Sequence, residues 1–213
     1  MISAQGVSRV FGSGSTAVTA LAAISLTVAQ GEFLAVTGRS GSGKTTLLNL
    51  LSGLDRPSTG TVLFHGDDLA SLRESELVDM RRHKIGFVFQ SFGLMPLLSA
   101  QENVELPLHI GGVSWRERRQ RANKALEAVG LSSRARHRPF ELSGGEQQRV
   151  AIARALVTGP EVVFADEPTG ELDTATARSI ADTLGEVASS RRATVIVATH
   201  DLDLAAKAQR RLD

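Results

Sequence analysis

The chain has 213 residues, 42% hydrophobic and 22% charged, with a formal net charge of +1 and no cysteine. That length can bury one sizeable core, and the near-neutral balance supplies no overall field for nucleic acid or an acidic membrane surface. Without cysteine there are no disulfides and no thiolate metal sites, which fits a reducing compartment.

Met1 to Phe11 lacks the basic start and long apolar run of a signal peptide. No stretch approaches the roughly 20 apolar residues that span a bilayer. The longest apolar runs, such as Val162-Val163-Phe164-Ala165, are strand-sized. The expectation is a soluble chain, with any membrane-embedded part supplied by another chain.

In chain order, Ile2 to Gln30 alternates loosely around Gly12-Ser13-Gly14-Ser15 and reads as strands joined by a turn. Glu32 to Thr37 reads as a buried strand, followed by a glycine-rich turn and a buried helix from Thr46 to Leu51. Thr61 to Phe64 is another short strand. Residues 67–84 are charged and helical in pattern, and Ile85 to Phe89 is strand-like. From Ser91 to Val129 strand signals vanish and polar helical stretches dominate, including Trp115 to Val129. This reads as a helical insertion. A helix follows Ser143 to about Val157. Strands at Val162 to Ala165 and Thr194 to Ala198 flank a helical stretch, Thr174 to Ser189. Alternating strands and helices predict an α/β fold with a mainly parallel sheet.

Gly38-Arg39-Ser40-Gly41-Ser42-Gly43-Lys44-Thr45 matches G-x-x-x-x-G-K-[ST] between a predicted strand and a predicted helix. Glycines let backbone N–H groups curl around phosphate oxygens, and the helix dipole faces the same anion. Lys44 adds a point charge toward the β- and γ-phosphates, and the Thr45 hydroxyl is placed to ligate Mg²⁺. Thr46, the next residue, is counted with the loop as nucleotide-binding.

The strand Val162 to Ala165 ends in Asp166-Glu167. Ligands of open α/β sheets sit at the carboxyl ends of strands, so Asp166 is expected to face Mg²⁺ and Glu167 to activate the attacking water. Taken alone, Asp-Glu-Pro is equally a solvated turn. Thr194 to Ala198 leads to His200, a candidate for contacting the γ-phosphate or holding that water. Ile85 to Phe89 leads to Gln90, whose amide oxygen can ligate Mg²⁺. Either residue alone is weak evidence, but strand ends that all present phosphate, metal or water ligands make one consistent site.

Leu142-Ser143-Gly144-Gly145-Glu146-Gln147-Gln148-Arg149 opens another helix. Ser143 is a favourable N-cap, and a Ser-Gly-Gly helix start is an anion site. This run resembles the signature motif of ABC ATPases and lies just upstream of the second acidic motif, as in that family. The resemblance covers nearly the whole chain. It implies one ABC ATPase domain over 1–213, a P-loop NTPase fold with a parallel core, an N-terminal antiparallel β portion and a helical subdomain at approximately 91–158. It also implies ATP and Mg²⁺ as cofactors, and a head-to-tail dimer with ATP between Lys44 of one copy and Ser143, Gly144, Gly145 and Glu146 of the other. Phe11, where the family usually has tyrosine, resembles the aromatic that stacks on adenine, with Val18 supporting it. Gln90 and His200 match the family's glutamine loop and switch histidine, and Gly170-Glu171-Leu172-Asp173 its interface loop.

The stretches Phe87 to Pro96 and Glu102 to Leu108 resemble the lipoprotein-releasing and macrolide or antimicrobial-peptide export branch, with cell-division relatives nearby. The resemblance implies an integral membrane permease and a second ATPase subunit as partners, and a peripheral cytoplasmic location on the inner face of the cell membrane. Leu94-Met95-Pro96-Leu97-Leu98 resembles the groove that receives a coupling helix, although core packing explains it as well. Family members usually continue past a motif like Arg210-Arg211-Leu212-Asp213 into a final short strand. Arg116, Arg118, Arg119 and Arg121 beside Trp115 read as a solvated helix face and not as a nucleic-acid patch, since Glu117 interrupts them. Soluble relatives acting on DNA or ribosomes usually carry long coiled-coil insertions or fused ATPase units, and a small-molecule kinase does not account for the signature motif.

Overall fold

The computed structural model describes residues 1–190 and 193–213. Two sheets share one buried layer. The first is antiparallel: β1 (Ile2–Phe11) pairs with β2 (Val18–Val28) and β4 (Thr59–Phe64), and the two-residue β5 (Asp67–Asp68) adds to β4. The second contains β3 (Phe33–Thr37), β6 (Ile85–Val88), β7 (Val162–Asp166), β8 (Thr194–Thr199) and β9 (Arg210–Leu212), in the order β6-β7-β8-β3-β9. Every pairing in it is parallel. Parallel strands covered on both faces read as continuous apolar runs, which is how β7 and β8 stood out in the sequence.

Alternation divides the parallel strands between two cores. Val162, Phe164, Ile196 and Ala198 face the antiparallel sheet and the helix α1 (Lys44–Leu51). Val163, Ala165, Val195 and Val197 face α5 (Gly144–Leu156), α6 (Thr174–Ser189) and α7 (Leu202–Lys207). A third cluster joins α3 (Ala100–Ile110), α4 (Trp115–Ala128) and the outer side of α5 through Val104, Leu108, Leu126 and Val150. Helix α5 therefore belongs to two cores, with Ile152 in one and Val150 in the other. No helix among the described residues is long and apolar enough to cross a membrane.

Three readings of the sequence change. Residues 67–84 are not helical throughout: β5 pairs with Leu63 and Phe64, and the helix α2 runs only from Glu74 to Lys84. Arg210 to Leu212, which the sequence does not mark as a strand, is the edge strand, paired with Leu34, Ala35 and Val36. Its arginines hid it: Arg210 reaches out to Glu32 at 2.6 Å and Arg211 to the Ala205 carbonyl at 3.0 Å. Finally, Leu94 to Leu98 is not part of the lining of the apolar groove beside it. Buried Asn103 donates to the Met95 and Leu98 carbonyls at 3.1 and 3.0 Å and accepts from Met95 N–H at 2.7 Å, so the segment is tied to the start of α3. That groove, of about 420 Å³, runs past Phe87, Phe89, Leu106, Pro107 and Ile110.

Candidate functional site

The phosphate loop connects β3 to α1 and folds against the antiparallel sheet. Gly43 caps α1 with φ 92°, and a Cβ built on it would stand 2.4 Å from the Ala20 carbonyl oxygen. Only glycine satisfies both conditions. Ala20 is the extra residue of a bulge, between the pairs Arg9–Leu21 and Val10–Thr19. The bulge brings the end of β2 to the loop, and sequence reasoning missed it because alternation was already loose there.

Arg39, Ser40, Gly41, Gly43, Lys44, Thr45 and Thr46 line an open hollow of about 600 Å³, closed on other sides by Ala20, Gln90, Glu167 and His200. Gly38 and Ser42 shape the loop from behind. A Cβ on Gly38 would meet Ser42 Oγ at 2.6 Å, and Ser42 N–H donates to the Arg39 carbonyl at 3.1 Å. The strand register explains the gathering. Asp166 pairs with Ala198 and Ala198 with Val36, so the carboxyl ends of β7, β8 and β3 lie level.

Lys44 is almost fully buried. Its ammonium donates to the Gly38 and Arg39 carbonyls at 2.9 and 3.2 Å and stands 3.4 Å from Glu167 Oε1. Glu167 Oε2 in turn accepts from His200, from the backbone N–H at 3.2 Å and through Nδ1 at 2.9 Å. Glu167 has φ 44°, a left-handed conformation that costs a non-glycine residue of the order of 1–2 kcal/mol. Its N–H is held to the Ala198 carbonyl at 2.8 Å, which keeps the turn in place.

Thr45 Oγ1 donates to Asp166 Oδ2 at 2.8 Å, while Asp166 Oδ1 is buried without a hydrogen-bond partner. Burial pushes the Asp166 carboxyl above its ordinary range, and the neighbouring Glu167 charge adds to this. The Thr45 hydrogen bond and Lys44 pull the other way. A buried, unpaired carboxylate oxygen beside the hydroxyl of Thr45, which itself lines the hollow with Gln90, fits a hard cation.

The Ser143 run stands apart from this hollow and contributes nothing to its lining. Ser143 Oγ accepts from Glu146 N–H at 3.3 Å, and the Glu146 carboxylate accepts from Ser143 N–H at 2.9 Å, a reciprocal cap. That backbone contact is the main reason the Glu146 carboxyl lies below its ordinary range; Arg134 adds an ion pair at 3.1 Å. The Glu146 side chain is thus spent on the cap, and the N–H groups of Gly144 and Gly145 are the first-turn donors left over. Gly145 is buried against α6: a Cβ there would meet Thr176 Cγ2 at 2.2 Å. Phe11 and Val18 also lie outside the lining. They face each other across β1 and β2, both exposed, with the Arg9 guanidinium 4.6 Å over the Phe11 ring.

A model of the family described as ABC transporter matches residues 21–170. The chain belongs to that family. The matched span carries the phosphate loop, Gln90, the Ser143 helix start and the Asp166-Glu167 pair. A macrolide export ATP-binding/permease protein of Hyphomonas neptunium is 47% identical over 210 residues, covering 99% of this chain and 32% of that protein. The chain thus spans about a third of the length of such curated relatives. The lipoprotein-releasing system ATP-binding protein of Geobacter metallireducens is 47% identical and covers 96% of this chain and 91% of its own length. A dimeric ATP-binding cassette solved in a post-hydrolysis state with ADP and phosphate superposes with a TM-score of 0.92 at 42% identity. That likeness covers 100% of this chain and 93% of the solved one. The chain is an ABC ATPase cassette.

Proposed function

We propose that the chain is the ATP-hydrolysing subunit of an export or lipoprotein-release machine, working as a head-to-tail homodimer on the cytoplasmic face of an integral membrane permease. One observation carries this reading above the others: the cradle for phosphate is half a site. Lys44, Thr45 and Glu167 line the hollow, with Asp166 held behind Thr45 by a hydrogen bond, while the donors at Gly144 and Gly145 belong to a helix start outside it. A second copy turned end to end supplies that helix start to the exposed side of the triphosphate.

In this reading Lys44 and the loop N–H groups bind the β- and γ-phosphates. Phe11, with Val18 beside it, stacks on the adenine with the ring face that Arg9 leaves open. Thr45, Gln90 and Asp166 would hold Mg²⁺, which would supply positive charge to the phosphate oxygens. A hydroxyl, an amide and a single carboxylate form a sparse, all-oxygen donor set, which would suit Mg²⁺, an ion that usually keeps water and phosphate oxygens among its ligands. Glu167 takes a proton from the attacking water, and His200 holds that water and the γ-phosphate in line. ATP touches both copies and ADP lacks the bridging phosphate, so the two nucleotides favour the closed dimer unequally.

Residues from about 91 to 158 act as the lever that transmits this closure. The apolar groove past Phe87, Phe89 and Ile110 suits a short amphipathic helix of the permease, next to Gln90 at the nucleotide. The relatives named for macrolide export and lipoprotein release support the transport reading. The test is affinity purification from membranes together with an ATPase assay. Recovery of an integral membrane permease that stimulates ATP hydrolysis is expected. Recovery of nucleic acid instead, or a chain that ignores ATP, contradicts the reading.

A further inference from the structure

The loops that follow β7 and β8 are clasped twice. The first clasp joins Glu167 to His200 and belongs to the catalytic reading above. The second lies two residues along: Thr169 Oγ1 donates to Asp201 Oδ2 at 2.9 Å. We propose that Asp201 is a positioning residue, which through Thr169 keeps the His200 turn in register with the Glu167 loop during turnover. This rests on the ATPase reading.

Asp201 uses its two oxygens for different tasks. Oδ1 accepts the N–H groups of Asp203 and Leu204, at 2.9 and 3.3 Å, and caps the short helix α7. A cap needs no more than that. Oδ2 spans to the other loop, where Thr169 is only 5% exposed. The Asp201 N–H is also fixed, to buried Thr199 Oγ1 at 3.0 Å, so the carboxylate stands on a rigid base.

The need for a second clasp follows from the first. His200 is 67% exposed, and Glu167 is its hydrogen-bond partner. When Glu167 turns to a water molecule, that clasp opens and no packing holds the imidazole in place. Thr169 and Asp201 line a separate recess of about 320 Å³ on the other side of His200 and do not line the nucleotide hollow. Their bond can therefore persist through the reaction, and a hydrogen bond to a carboxylate is among the stronger ones.

Thr169→Val removes the hydroxyl, keeps the side-chain shape and leaves the α7 cap intact. The expected result is a fall of about tenfold in kcat, with KM for ATP within about twofold and a melting temperature lower by only a few degrees. Thr169→Ser should restore kcat. Combining Thr169→Val with Asp201→Ala should be no slower than Asp201→Ala alone, since Asp201→Ala already removes the Thr169–Asp201 bond along with the α7 cap. Wild-type kcat in Thr169→Val, an effect confined to KM, or additive losses in the double variant would overturn the proposal. Should Thr169→Val not fold, Thr169→Ala is read against Thr169→Ser, and equal kcat in the two overturns it as well. A wild-type chain that does not hydrolyse ATP removes the parent reading first, and this proposal with it.

Discussion

The Lys44 ammonium stands 3.4 Å from Glu167 Oε1, joining the cation of the phosphate loop to the residue proposed as general base. Both are largely shielded from solvent, and His200 holds the second carboxylate oxygen. Lys44, Glu167 and His200 thus satisfy one another. On the proposed reading a γ-phosphate competes for Lys44 and His200 alike, and its arrival frees the Glu167 carboxylate for water.

Glu167→Gln keeps the shape and removes the proton acceptor. Single-turnover hydrolysis should fall by about 10²–10⁴-fold, the usual contribution of a positioned base. ATP binding should survive, because Lys44 then loses a competing ion pair. Hydrolysis near the wild-type rate would exclude Glu167 as the base.

Asp166 gives a pH signature. Its folded pKa is raised by burial, so the folded chain binds the extra proton between the ordinary carboxylate value and the raised one. The stability contribution is fully present below the ordinary value and is lost as pH rises through the folded one. Above that window the ionised carboxylate costs stability in the nucleotide-free protein. Asp166→Asn should therefore raise the melting temperature at neutral pH, by an amount that shrinks on acidification, while abolishing stabilisation by Mg²⁺ with ATP. A variant that melts lower at neutral pH contradicts this account.

The phosphate loop, the acidic pair and the Ser143 cap were legible because each depends on residues adjacent in sequence. The parallel strands were legible because burial on both faces writes an unbroken apolar run, as in Val162 to Ala165. What escaped depends on distant partners or very short elements. The β5 pair Asp67–Asp68 and the edge strand Arg210–Leu212 carry charged side chains, and their strand character comes only from the neighbours they bond. The Ala20 bulge, the Thr169–Asp201 bond and the fit of Gly145 on Thr176 join segments far apart along the chain. Gly145 read as an anion-site glycine, yet its lack of a side chain is equally required by packing on α6.

That double role is testable. Thr176 cannot swing away freely, because its hydroxyl donates to Asp173 Oδ2 at 2.6 Å while Asp173 caps α6. Gly145→Ala should destabilise the fold by about 1–3 kcal/mol, typical of overpacking. Thermal denaturation should show a drop of several degrees, with nucleotide affinity of the monomer preserved. An unchanged melting temperature would mean that α5 and α6 part easily.

The central claim is that one triphosphate joins the Lys44 loop of one copy to the Ser143 helix start of another. Light scattering of Glu167→Gln, with ATP and then with ADP, tests it most directly. The account predicts dimer mass with ATP, monomer mass with ADP, and monomer mass in both when Ser143→Arg is added, with ATP still bound. The same mass in both nucleotides, or a dimer indifferent to Ser143→Arg, would contradict it.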